Sequence, residues 1–118
     1  MREILFRGKH IHAFIEPNNT GIWVYGYLCN DHYINSEELM GEMLIDKNTI
    51  GQYTGLKDKN GTKIFEGDIL PFTMIDGRQE NYYIVFKDGE FDAINKQDNN
   101  FIWRNAWKES TVIRKYIW

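Results

Sequence analysis

At 118 residues the chain can bury a core without disulfides or metal staples. Its 14 basic and 17 acidic residues, a formal net charge of −3, remove any global attraction to phosphate backbones. Aromatic residues reach 15%, a content that favours pleated strand surfaces and the cores of interfaces. No apolar run approaches the roughly 20 residues a membrane helix requires. The start MREILFRGKH is polar and charged, unlike an export signal, and the single Cys29 cannot close an intramolecular disulfide. The expectation is a soluble protein of a reducing cytoplasm, built as one domain over residues 1–118.

In chain order, REILFR alternates imperfectly but in strand fashion, and the pattern continues from Lys9 to Ile15. The run EPNNTG then supplies turn residues, and IWVYGYL returns as a strand in which Gly26 marks a bulge or a close backbone approach. SEELMGEMLID reads two ways. A helix capped by Ser36 groups Leu39, Met40, Met43 and Leu44 on one face, whereas Gly41 argues for a short strand through MLI. Beyond it, Asn60-Gly61, Asp76-Gly77 and Asp88-Gly89 are hairpin dipeptides. IFEGDILPFTMI, NYYIVFK and EFDAI therefore read as successive strands of an antiparallel meander. In NFIWRNAWKESTVIRKYIW, Phe101, Trp103 and Trp107 fit one strand face, with a short helix as the alternative because Trp103 and Trp107 are also a helical turn apart. The fold class expected is mainly β: antiparallel hairpins, partly barrel-like, with one or two short helices.

The most patterned stretch is GQYTGLKDKNGTKIFEGDIL, residues 51–70. Its glycines are too widely spaced for a dinucleotide fingerprint, and no Gly-Lys-Ser/Thr closes a P-loop. The residues make sense as corners instead. Asp58 and Asn60 can hold neighbouring amides, Gly61 takes a positive φ, and Gly67-Asp68 forms a second corner whose carboxylate accepts backbone N–H groups. Gly55, Asp58, Asn60, Gly61, Gly67 and Asp68 are thus candidate structural turn residues. Pro71, lacking an amide donor, places its strand at an edge or a bulge.

MREILFRGK, WVYGYL at 23–28, TIGQYTGLKDKNGTKIFEGDIL at 49–70 and the late VI at 112–113 together resemble the YopX family of phage and prophage proteins, in the same order and over most of the chain. The resemblance implies a β-rich, phage-borne protein of the host bacterial cytoplasm that assembles into a homo-oligomer. It brings no catalytic or binding residues. Two departures stand out. The family's last strand reads like Val-Ile-Gly-Asn-Ile where this chain has Val112, Ile113, Arg114, Lys115 and Tyr116, and HIHAFIEPNN lengthens the first hairpin.

Other constellations are weak. His10 and His12 share a strand face as paired zinc ligands do, but Cys29, Asp31 and His32 lie far along the chain and the paired spacing of strong zinc motifs is missing. Neither metal nor cofactor is expected. One Cys and three His without a nucleophile elbow, and adjacent carboxylates such as Glu37 and Glu38 that diverge, point away from an enzyme. Cys29 reads as a small, partly buried residue. The chemistry-bearing surface is the C-terminal mixture of Trp103, Arg104, Trp107, Lys108, Arg114, Lys115 and Trp118. It suits an interface with a second copy or with a phage or host protein. The alternatives are a small β-barrel binding single-stranded nucleic acid on aromatic platforms, and plain core packing of the same aromatics.

Overall fold

A computed structural model describes residues 4–11, 22–95 and 100–113, apart from the side chain of Asn105. These residues form nine strands and one short helix: β1 (Phe6–His10), β2 (Trp23–Leu28), β3 (Tyr33–Ser36), β4 (Gly41–Lys57), β5 (Lys63–Phe65), β6 (Ile69–Thr73), β7 (Gln79–Lys87), β8 (Glu90–Ile94), β9 (Phe101–Ile102) and α1 (Arg104–Trp107). The chain is mainly β, as its composition implies. It divides into two compact units, one reaching Tyr53 and the other beginning at Thr54.

In the first unit, β1 pairs with β2, β2 with β3 and β3 with β4, all antiparallel, and β4 returns to pair with β1. Four strands therefore close into a ring around Val24, Ile34 and Ile45. Room inside is scarce. A Cβ on Gly8 would overlap Ile45 Cγ2, and one on Gly26 would overlap the Asn35 carbonyl oxygen, so Gly26 is the close approach that its place in a strand suggests. The β1–β4 register breaks between Arg7 and Lys9. There Thr49 Oγ1 donates to Asp46 O at 2.6 Å and accepts from Lys9 N at 2.7 Å, which stitches the bulge to β1.

SEELMGEMLID is not helical. Ser36 pairs with Gly41 across a turn, and Ser36 Oγ caps that turn by accepting from Leu39 N at 3.1 Å. Met40 takes φ +57°. The cap signal is real, but a strand with Ile45 buried wins because its alternation serves the ring core. The part of the first hairpin from His12 to Gly21 lies outside the described residues.

In the second unit β5 pairs with β4, and Thr54 Oγ1 donates to Ile64 O at 2.8 Å. The chain then turns at Glu66-Gly67 and enters a consecutive meander, β6-β7-β8-β9, so IFEGDILPFTMI is two strands rather than one. Pro71 sits in β6, at the edge of that sheet. One sheet face carries Leu70, Tyr82, Ile84, Phe91 and Ala93, which with Ile64 and Trp107 make the larger core. Ile113 adds an isolated bridge to Ile69. No described helix is long and apolar enough to cross a membrane.

Candidate functional site

The corner residues of 55–68 are built into the second unit's frame. Asp58 is buried, and its Oδ1 accepts from Asn60 N and Thr62 N at 2.9 Å each, while Oδ2 accepts from Val112 N at 2.9 Å. One carboxylate therefore holds its own hairpin and a segment 54 residues away. Gly61 donates to Asp58 O and has φ +79°. Gly55 and Gly67 have φ +90° and +92°. Asp68, fully buried, accepts from Phe65 N through Oδ2 at 2.8 Å. These side chains bind backbone amides of the chain itself, and that is chemistry of shape.

The C-terminal mixture is separated by its own local structure. Trp103 is extended (φ −62°, ψ 145°) and precedes a single helical turn, with Ala106 N donating to Trp103 O at 2.9 Å. That turn carries Trp107 inward. Trp107 is 1% exposed and its Nε1 donates to Ile102 O at 3.1 Å, so it belongs to the core and not to a surface. Trp103 points the other way at 72% exposure, edge-on to Phe101 at 5.0 Å between ring centroids. Lys108 is exposed. Arg114, Lys115 and Trp118 lie outside the described residues.

What gathers around Trp103 is a cleft of about 420 Å³ lined by Glu90, Asp92, Phe101, Ile102, Trp103 and Arg104. The Asp88-Gly89 turn, with φ +53° and +80°, starts β8 so that Phe91 and Ala93 face the core and Glu90 and Asp92 the opposite side. Phe101 pairs with Ile94 on β8. Arg104 spans the mouth: its Nε donates to Phe91 O at 3.2 Å, and its Nη2 lies 3.7 Å from Glu90 Oε2. Among the described residues the Asp92 carboxylate has no hydrogen-bond or ion-pair partner. Sequence reasoning reached Trp103 and Arg104 but missed Phe101, Glu90 and Asp92. The signal was present in the period-two placement of acids at 90 and 92, which puts both on one strand face.

Among the described residues the candidate ligands are engaged elsewhere or stand apart. His10 Nδ1 lies 2.8 Å from Leu44 O, His32 pairs with Asp31, and no trio of His, Cys, Asp or Glu is poised around an ion among the described residues. His12 lies outside them. Cys29 is exposed rather than partly buried, because β2 has ended at Leu28.

Mainly antiparallel hairpins, a closed ring and a glycine-cornered central hairpin define a small β protein. Residues 14–114 match the model of the YopX protein family, and the chain belongs to that family. A search of curated proteins finds no match.

Proposed function

We propose that this YopX-family chain is an accessory protein of a phage or prophage. It has no enzymatic activity and acts in the bacterial cytoplasm by associating with itself or with a phage or host protein. The observation that carries this reading is the Phe101–Trp103 pair: two large rings, 55% and 72% exposed, set at the mouth of a cleft while Trp107 four positions on is spent on the core. Exposed Trp and Phe are the residues that anchor interfaces.

The sheet edges support the same reading. β6, at one edge, carries Pro71, which offers no amide. At the other edge, Asn95 N donates to Asn100 O at 2.8 Å, and the alternation of an antiparallel ladder then turns the Phe101 backbone away from β8, toward an incoming chain. Nucleic acid is less well served, since bases lose the Trp107 platform and phosphates meet Glu90 and Asp92.

The test is solution mass by light scattering over a concentration series, for wild type and Trp103→Ala, with and without a mixed single-stranded oligonucleotide. The expected result is a mass several times 14.1 kDa that ignores the oligonucleotide and falls in the variant. A monomer that gains mass with oligonucleotide at low salt would overturn the reading.

A further inference from the structure

We infer that the cleft between β8 and Trp103 takes the cationic side chain, arginine or lysine, of an extended segment of a partner protein. The inference rests on the reading of this face as a protein-docking surface and adds what the partner must carry. Three features point to it. The Trp103 and Phe101 rings give a cation faces and edges against which to pack. Glu90 and Asp92 lie on the same side of β8 and both line the cleft. Of these two carboxylates, Glu90 has Arg104 Nη2 at 3.7 Å, whereas Asp92 is half-buried and has no partner among the described residues.

The distribution of charge selects the sign of the ligand. Among the described residues the one cation lining the cleft is Arg104, whose Nε is already engaged by Phe91 O. An anion would therefore face two carboxylates and gain little from the one guanidinium. A cation gains Asp92 directly. A guanidinium fits best, because its planar fork can pair with a carboxylate while its face lies on an aromatic ring. Its aliphatic stem then covers Phe101, as long charged side chains commonly cover apolar surface. The Phe101 backbone, turned away from β8, allows the rest of the segment to run alongside β9 as an added strand.

The probe is a fluorescein-labelled heptapeptide of glycine and serine carrying two arginines, with a matched peptide carrying two glutamates, read by fluorescence anisotropy at low salt. The arginine peptide should bind and the glutamate peptide should not. Asp92→Asn should weaken binding about tenfold, as loss of a hydrogen bond to a charged group does, and Trp103→Ala comparably. Glu90→Gln should cost less, since Glu90 already has Arg104 beside it. Thermal melts of each variant confirm that the fold is kept. Equal binding by Asp92→Asn and wild type, or equal binding of the two peptides, would overturn the inference. The two readings fail separately. If Trp103→Ala lowers the solution mass while the arginine peptide does not bind, the docking face stands and its cationic partner falls. If the peptide binds and the mass never depends on Trp103, the cleft stands and self-association through it falls. If the bound occupant proves to be a basic segment of a second copy, the peptide competes with assembly and the mass drops on its addition.

Discussion

The ring of the first unit and the meander of the second solve the same problem, the unpaired edge of a β-sheet, in opposite ways. β1 pairs on both sides, with β2 and with β4, so among the described residues the ring leaves no outer strand, and its interior is so narrow that glycine is required where strands cross. The meander never closes. One of its edges carries Pro71 and the other ends in the two-residue β9, beside which Trp103 stands exposed. Closure uses up a sheet's capacity to pair, whereas an open sheet keeps it available. The cleft accordingly belongs to the open unit. The two cores differ in kind as well: among the described residues the ring encloses three buried apolar side chains and is limited by volume, while the core of the second unit buries seven, Trp107 the largest of them.

Removing atoms should therefore hurt the meander most. Trp107→Ala deletes a side chain 1% exposed, together with its hydrogen bond to Ile102 O, and large-to-small changes of this kind cost about 3–5 kcal/mol. Urea unfolding of wild type and variant measures it. A loss below about 0.5 kcal/mol, the range of an ordinary surface change, would mean that the meander is not organised around Trp107.

How much of this was legible differs between the two units for the same reason. The corners at 58–68 could be read because each depends on a local rule: Asp58 holds amides two and four residues ahead, and glycine supplies positive φ. Even there, Asn60-Gly61 and Asp76-Gly77 are longer loops, closed by Asp58 N to Thr62 O and Met74 N to Arg78 O, with only the glycine in the left-handed region. Asp88-Gly89 alone has both residues at positive φ. The long-range partner of Asp58, Val112 N, left no trace in local pattern. The partly barrel-like character expected from the hairpins is present as the ring, but which strands close it could not be read, since a β1–β4 pairing depends on loop closure across some forty residues, as between Lys9 and Asp46, and alternation says nothing about which strands meet. At the site, Trp103 and Trp107 looked equivalent because both strand and helix spacing group them. One helical turn after an extended residue gave them opposite fates.

Adding atoms should hurt the ring. Gly26→Ala puts a methyl group into the Asn35 backbone carbonyl, which cannot swing aside as a side chain can, and overpacking of this kind costs about 1–3 kcal/mol. The matched control is Gly61→Ala, which meets nothing within 4 Å and bears only the penalty of φ +79°, about 1 kcal/mol. Denaturation midpoints of both variants give the contrast. Two equal and small losses would show that the ring has slack and that its glycines are there for the backbone rather than for space.

The smallest effect concerns the charges on the ring's β1. Lys9 is 5% exposed and Arg7 fully buried, with Lys9 Nζ 4.8 Å and the Arg7 guanidinium 4.2 Å from the centroid of the Trp23 ring. Burial, and then the neighbouring Arg7 charge, hold the Lys9 ammonium below its ordinary value of 10.5. With the folded value depressed, the unfolded chain binds more protons than the folded one in the window just below pH 10.5, and stability from this group must rise as pH rises through that window. Lys9→Met removes the titration while keeping an unbranched apolar chain beside Trp23. The wild type should therefore gain stability relative to Lys9→Met as pH rises toward 10.5, read as the difference in urea midpoints so that tyrosines and Cys29 cancel. Parallel pH profiles would mean that Lys9 keeps an ordinary affinity for its proton.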